Sequence, residues 1–334
     1  MTLTEAIVTK DAERCVAEVG LLAYPGCQLA AVHGLTDLFR IASEWTGDGP
    51  RPWIRVSHWA PSDETTNARL SCVWDSHPGE RHRLDYVIAP PSIVMPEKMQ
   101  ITPTTARWLA EQHQQGTRIC SVCAGAFVLA ESGLIDGRRV TTHWAFARQL
   151  SKKFPQVEVA ADNMVLDGGD IITAGGILAW TDLGLTIVER LMGSSIMLAT
   201  ARFLLIDPPR HSQLPFSRFT PPFDHGDEVV LRVQHYIHGQ PAAAHTSPNL
   251  AAVAGLGERT FLRRFSKSTG IKPTEYIQNV RIAKALEALE LTQQAVDQIA
   301  WDVGYADPAS FRKTFQKLTG LTPSDYRQRF GVAR

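Results

Sequence analysis

The sequence predicts an α/β domain, with a parallel sheet covered by helices on both faces, followed by an all-α domain with two helix-turn-helix units. Strand-like and helix-like segments alternate over residues 15–207, as they do in proteins with parallel sheets. Over residues 225–334 only helical periodicity remains. Between these parts, residues 208–224 hold five prolines, which interrupt helices and indicate a linker.

The first domain consists of short elements separated by Gly and Pro. Residues 1–14 are polar, and we expect them to form a flexible N-terminus. Apolar runs predict strands at 16–24, 51–59, 83–89, 118–122, 139–142 and 170–174. Helical periodicity predicts helices at 29–43, 103–115, 125–132, 144–154 and 179–206, the last with a break at Gly193.

The second domain is predicted to be entirely helical, and part of it is repeated. Its helices are expected at 227–238, 249–255, 258–269, 273–289, 295–303, 307–319 and 323–330. Residues 261–276 return as 311–326 with seven identities: Phe, Phe, Lys, Thr, Gly, Pro and Tyr. Self-similarity at a fixed offset means that one supersecondary unit has been built twice.

Composition and charge narrow the class of protein. The chain has 334 residues, 34 basic and 34 acidic, so no global positive field attracts nucleic acid. Residues 225–334 nevertheless carry 14 basic against 10 acidic residues. Five cysteines form no disulfide framework in a chain of this size. No signal peptide or membrane span is apparent, so we expect a cytoplasmic protein. We also expect no metal and no cofactor.

Each repeat predicts a short helix, a tight turn and a second helix with a basic outer face. Gly255 and Gly304 permit the left-handed backbone of the two turns, and Ala251 and Ala300 are small where helices cross. The second helices put phenylalanines inward and basic residues outward, an arrangement typical of helices that bind DNA. The predicted DNA-binding residues are Arg259, Thr260, Leu262, Arg263 and Lys267, followed by Pro308, Ala309, Arg312, Lys313 and Lys317.

The two copies are expected to bind double-stranded promoter DNA differently. Arg263 can pair with guanine and Leu262 can touch a thymine methyl group. The second copy has fewer donors at its N-terminal end, so we expect it to rely more on phosphates. The residues that carry a family resemblance run from Ala300 through Val303-Gly304-Tyr305, Phe311, Phe315 and Thr319-Gly320 to Pro323-Ser-Asp-Tyr326-Arg327. In this pattern the second domain resembles the AraC family of transcription regulators, which implies a monomer that binds two adjacent major grooves.

The first domain contains a cysteine at a turn between a strand and a helix. The run Arg118-Ile-Cys-Ser-Val-Cys123-Ala124-Gly125 places Cys123 at a helix N-terminus, where free N–H groups favour thiolates and anions. His143 follows twenty residues later and could complete a Cys–His pair. The alternative is a small buried cysteine that only packs the turn. We expect Cys123, Ala124, Gly125, His143 and Trp144 to line a ligand pocket.

Further motifs in the first domain add to the cysteine turn. They are Thr141-Thr142-His143-Trp144, Thr173-Ala-Gly175-Gly176 and Asp182-Leu183. With the cysteine turn they resemble the ThiJ/PfpI superfamily, which implies a flavodoxin-like sandwich with the nucleophile position at Cys123 and the histidine at His143. Enzymes of that superfamily often carry an acidic residue in the helix after the first strand, but residues 26–35 have none.

The two resemblances together imply a regulator of the GlxA-like type, with domains at 15–207 and 225–334. The leading hypothesis is a transcription regulator that responds to a small polar metabolite and forms a homodimer through its first domain, with RNA polymerase as a further candidate partner. The rival hypothesis is a Cys-dependent hydrolase or hydratase fused to a DNA-binding domain, in which Cys123 and His143 would be catalytic. In a third, Cys123 only packs a dimerisation scaffold or senses thiol oxidation.

Overall fold

The computed structural model describes residues 14–45, 52–61, 69–101, 103–208 and 210–332. The chain divides into two compact units, Met1–Gln213 and Leu214–Arg334. This division lies inside the proline-rich segment 208–224. Of the expected flexible N-terminus, residues 1–13 lie outside the described part, and the first strand begins at Arg14.

The first unit is organised around a seven-stranded sheet. The described strands of the unit, in chain order, are β1 Arg14–Leu22, β2 Pro52–Pro61, β3 Leu70–Asp75, β4 Tyr86–Ala89, β5 Arg118–Val122, β6 Arg139–Val140, β7 Glu158–Val159, β8 Val165–Asp167 and β9 Ile171–Ala174. Of these, β6 and β7 pair with each other in a separate two-stranded sheet. The sheet order is β3-β2-β1-β4-β5-β9-β8, and the five inner strands are parallel. This arrangement of parallel strands is the flavodoxin-like order, as expected from the sequence.

Helices cover this sheet. They are α1 Leu29–Glu44, α2 Pro103–Gln114, α3 Gly125–Glu131, α4 Ala147–Lys153, α5 Trp180–Met192 and α6 Ser194–Phe203. One layer is formed by α1, α5 and α6, and another by α2 and α3. Every residue of β4 and β9 is buried, as strands of a sheet covered on both faces should be.

The sheet differs from the prediction at its edges. The edge strands β3 and β8 are antiparallel to their neighbours, and neither was predicted. Residues 144–154 begin with a 3-10 turn at Trp144–Phe146 before α4 starts. The predicted break in the helix over 179–206 is confirmed at Gly193, whose φ of 88° ends α5.

The second unit contains seven helices in its described residues, as predicted. They are α7 Glu228–Gly239, α8 Ser247–Ala254, α9 Glu258–Thr269, α10 Pro273–Leu291, α11 Val296–Asp302, α12 Pro308–Thr319 and α13 Pro323–Phe330. Both helix-turn-helix units are present, as α8–α9 and α11–α12. No helix in the described part of the chain is both long and apolar enough to cross a membrane.

One helix joins two separate hydrophobic cores in the second unit. The N-terminal half of α10 packs Tyr276 and Val280 against Phe261 and Phe265 of the first core. The C-terminal half packs residues such as Leu286 against the corresponding phenylalanines of the second core. Since α10 belongs to both cores, it fixes the separation of the two helix-turn-helix units.

The start of the second unit is anchored on these cores. Phe216 stacks edge-on against Phe330, and Phe219 against Tyr276. Arg218 forms an ion pair with Glu290 and donates a hydrogen bond to the Tyr326 hydroxyl at 2.7 Å. The second half of the proline-rich segment is therefore packed on both cores of its own unit.

The turn of the second helix-turn-helix unit requires glycine. Gly304 has a φ of 92°, and a Cβ there would lie 2.6 Å from the carbonyl oxygen of Ala242. Gly255, at the corresponding turn of the first helix-turn-helix unit, also has a positive φ of 66° but has open space around it. Backbone strain applies at both turns, but steric overlap applies only at Gly304.

We expect Gly304→Ala to destabilise the second unit by more than about 1–3 kcal/mol, because strain and overlap act together. Gly255→Ala is the matched control and should cost about 1 kcal/mol from strain alone. Urea unfolding of the Leu214–Arg334 fragment measures both. Equal losses of stability in the two variants would show that the contact with Ala242 does not matter.

Candidate functional sites

The helices α9 and α12 each have a buried aromatic face and an exposed basic face. Phe261, Phe265, Phe311 and Phe315 are fully buried. The opposite faces expose Arg259, Thr260, Arg263 and Lys267 on α9, and Ala309, Arg312, Lys313 and Lys317 on α12. The structure thus places these predicted DNA-binding residues on the outer faces of the second helices.

The basic side chains differ in whether they have partners inside the protein. Arg264 pairs with Asp227 at 2.6 Å and Arg312 pairs with Asp297. No ion pair or hydrogen bond within the described residues engages the predicted set Arg259, Arg263, Lys267, Lys313 and Lys317. Three of these unpaired cations lie on α9 and two on α12, so the first helix presents more positive charge.

Two predicted contact residues lie differently from the others. Leu262 is half buried and packs against the first core, so less of its side chain is available to a thymine methyl group. Pro308 is half buried at the first position of α12. Asp307 caps α12 by accepting hydrogen bonds from the amides of Ala309 and Ser310, whereas Gly257 gives α9 no side-chain cap.

One side chain of α10 holds the loop between α7 and α8. Arg281, on α10, donates to the carbonyl oxygens of Pro241 and Ala243 at 3.0 and 2.9 Å. Its guanidinium also lies over the Tyr305 ring, 5.5 Å from the centroid. This loop is thereby tied to the turn of the second helix-turn-helix unit, a link that the sequence did not predict.

The cysteine turn of the first unit has the backbone conformation of a nucleophile elbow. Cys123 has a φ of 55°, unusual for a residue with a side chain. Its amide donates to the Ala174 carbonyl at 2.8 Å, and its carbonyl accepts from the Thr142 hydroxyl at 2.7 Å. A Cβ at Gly125 would lie 2.4 Å from the Ala89 carbonyl oxygen, so only glycine fits there. These contacts hold the strained turn in place.

The thiol at this turn is buried and has a raised pKa. Cys123 is 1% exposed, and burial raises the pKa of its thiol to about 12. Burial also lowers the pKa of His143, whose Nδ1 accepts from the Ala145 amide. Within the described residues no hydrogen bond joins Cys123 to His143. The Cys–His pair required by the enzyme hypothesis is therefore not formed.

The edge of the sheet around this turn has features of a binding surface. The loops after β1, β4 and β9 leave the carboxyl ends of parallel strands, where flavodoxin-like proteins bind ligands. These loops expose Leu29, Ile93, Met95, Ile177 and Leu178 by 41–70%. Nearby in sequence, Gln28 Oε1 and Trp180 Nε1 are buried without a hydrogen-bond partner. Unsatisfied buried polar atoms call for a partner such as a bound molecule.

The last residue of the first unit inserts next to the cysteine turn. The buried amide nitrogen of Gln213 lies 2.8–3.2 Å from four oxygen acceptors, on Thr141, Thr142, Ala161 and Asn163. Its Oε1 accepts from the Trp144 amide at 3.2 Å. The residue that leads into the second unit thus contacts the same loop as the predicted ligand-pocket residues.

Two cavities open elsewhere on the first unit. One, of about 830 Å³, lies between α1 and strands β2 and β3 and is lined by residues such as His33, His58, Trp53 and Trp74. The other, of about 540 Å³, is lined by Trp59, His82 and the ends of neighbouring loops. Neither of these two cavities is lined by Cys123 or His143.

Comparison with known families supports the two-part organisation. Residues 250–329 match a helix-turn-helix domain family, and residues 78–190 match the DJ-1/PfpI family. GlxA, an HTH-type transcriptional regulator of Rhizobium meliloti, is 26% identical over 303 residues, which are 89% of this chain and 91% of GlxA.

Two further relatives are similar over part of the chain. The HTH-type transcriptional regulator CdhR of Pseudomonas aeruginosa is 26% identical over 227 residues, 64% of each protein. The isonitrile hydratase of Pseudomonas putida is 35% identical over 122 residues, which are 36% of this chain and 47% of the hydratase. The chain thus spans less than two thirds of CdhR but nearly all of GlxA.

We expect alkylation of the native protein by iodoacetamide to modify Cys123 last or not at all below pH 9. Burial holds the thiol neutral until the pH approaches its raised pKa of about 12, and the thiolate is the reactive form. Cys15 is exposed and serves as the internal control, since it should react first. Peptide mass spectrometry follows each site. Rapid modification of Cys123 at neutral pH would revive the catalytic hypothesis.

Proposed function

We propose that this chain, which joins a DJ-1/PfpI domain to an AraC-type helix-turn-helix domain, is a cytoplasmic transcription regulator that binds promoter DNA and responds to a small polar metabolite. The matched families and the regulators of similar sequence support DNA binding. The metabolite, a homodimer formed through the first domain and contact with RNA polymerase are further parts of the proposal.

The observation that carries this proposal is the pair of recognition helices with unpaired cations. Because these arginine and lysine side chains have no partner in the protein, no ion pair has to break when they bind DNA. In this proposal Lys317, near the C-terminal end of α12, contacts phosphate, which any sequence offers. Arg263, on the outer face of α9, contacts a base edge in the major groove.

The first unit supports a sensor role better than a catalytic one. The elbow geometry, the exposed apolar loops and the unsatisfied atoms of Gln28 and Trp180 favour binding of a small molecule at this edge. Gln213 offers a route by which occupancy of the site could reach the second unit, since it bonds to Thr142 and Trp144. A ligand changes DNA affinity only if it prefers one arrangement of these groups over another.

Catalysis remains the second candidate function, because the isonitrile hydratase is similar over 122 residues. The buried, neutral thiol of Cys123 disfavours it. No carboxylate is among the groups that shift the pKa of this thiol, and this also disfavours catalysis. Steady product release by the full chain, abolished in Cys123→Ser, would establish the enzyme in place of the sensor.

Substitution of Arg263 and Lys317 should separate base contacts from phosphate contacts. We expect Arg263→Ala to weaken specific DNA binding by about 1–3 kcal/mol and to relax the preference at one base position. Lys317→Ala should weaken binding to all sequences alike and flatten the salt dependence of affinity. Fluorescence anisotropy with the native operator and single-base variants, at several salt concentrations, measures both effects.

The matched control for these variants is Lys284→Ala. Lys284 is exposed on α10, pairs with Glu287 and lies outside the recognition helices, so its loss should leave affinity and specificity unchanged. If Arg263→Ala behaves like this control, α9 does not contact bases through its outer face.

A further inference from the structure

Three potential metal ligands meet on the first unit, away from the cysteine turn. Cys72 and Asp75 lie on β3 and His82 lies in the loop that follows, and their donor atoms are all within 4.8 Å of one another. The Nε2 of His82 is 3.9 Å from the Asp75 carboxylate. Cysteine sulfur, histidine nitrogen and carboxylate oxygen are the ligand types that Zn²⁺ takes in proteins.

The histidine is oriented as metal-binding histidines usually are. Its Nδ1 lies 2.6 Å from Glu18 Oε1, so in the neutral ring Nδ1 carries the proton and Nε2 keeps its lone pair for a metal. Glu18 is itself fixed, because it accepts hydrogen bonds from the Ser57 hydroxyl at 2.9 Å and the Arg83 amide at 2.8 Å. A carboxylate behind a histidine sets the ring orientation and strengthens metal binding.

The charges in this cluster favour a divalent cation. Glu18 and Asp75 contribute two negative charges, and Arg55, which contacts both, contributes one positive charge. The side chains of Glu18 and Arg55 are only 4% and 3% exposed, so water screens them little. A divalent cation bound by Cys72 as a thiolate cancels the remaining charge.

The ion pair between Arg55 and Asp75 does not block coordination. Arg55 donates from Nε to one oxygen of Asp75 and from Nη2 to the other, at 3.1 and 2.5 Å. Asp75 Oδ1 also accepts a hydrogen bond from the His77 amide at 3.0 Å, so the acceptor position that remains open to a metal is on Oδ2. Arg55 also donates to the carbonyl oxygens of Glu80 and Arg81, which holds the loop carrying His82 against β2.

The cluster also has an access path. His82 lines the cavity of about 540 Å³, together with Arg81, Arg83 and Gln112. Three protein ligands leave a fourth tetrahedral position free for water or a bound anion. We propose that Cys72, Asp75 and His82 form a zinc site beside this cavity.

Cobalt substitution in the full-length protein tests this site directly, because a thiolate bound to Co²⁺ gives a near-ultraviolet charge-transfer band. We expect a chelator-treated wild-type chain to show this band at one Co²⁺ per chain and to rise in melting temperature when Zn²⁺ is added. Cys72→Ser and His82→Gln should lose the band. Glu18→Gln should keep it with affinity lowered about 10–100-fold.

Cys15→Ser is the matched control, because Cys15 is an exposed cysteine outside the cluster, and this variant should keep the band. Metal-free Cys72→Ser, which leaves the ion pairs of Glu18 and Asp75 intact, should melt at the same temperature as metal-free wild type, which separates loss of metal from loss of folding. The proposal is overturned if wild type shows no band, if Cys72→Ser keeps it, or if Cys15→Ser loses it. In those cases the cluster is an ion-pair network alone.

Discussion

The DNA-binding half of this protein depends on one helix that is shared by two hydrophobic cores. α10 contributes Tyr276 and Val280 to the first core and Leu286 and Leu289 to the second. Its 19 residues span about 28 Å at 1.5 Å per residue, close to the ~34 Å of one DNA turn. Neither helix-turn-helix unit can shift along α10 without unpacking its own aromatic residues. The spacing of α9 and α12 is therefore a property of packing rather than of flexible connections.

The chain is held by hydrogen bonds on each side of the boundary between the two units. Gln213 ends the first unit with its amide inserted beside Thr142, whose hydroxyl holds the carbonyl of Cys123. A few residues later Arg218 binds Glu290 and Tyr326 in the second unit. The connecting chain is thus anchored in each unit, close to the strained turn in one and on the second core in the other.

Much of this could be predicted because it depends on local patterns. The paired phenylalanines, the glycine that ends each recognition helix and the proline that starts the next are visible in the repeat itself. The elbow was visible too, since a small-residue turn follows an apolar strand. What could not be predicted depends on distant partners.

Arg264 and Arg312 look as free as Arg263 in sequence, yet their carboxylate partners lie 37 and 15 residues away. The edge strands β3 and β8 give no clear signal in the sequence because they are only partly buried, and β8 also has only three residues. Gln213 carries no local signal, since a single glutamine in a proline-rich segment resembles a linker residue. The burial of Cys123 also followed from the packing around the turn, not from its sequence.

In the proposed complex, α10 holds two recognition helices at a fixed separation on one DNA duplex. The most direct measurement inserts about 5 bp, half a helical turn, between the two grooves that a hydroxyl-radical footprint shows to be protected. We expect specific affinity to fall to that of one helix-turn-helix unit after insertion of either a half turn or a full turn, because a rigid α10 then lets only one recognition helix reach its groove. Unchanged affinity after the half-turn insertion would contradict a rigid two-site reader.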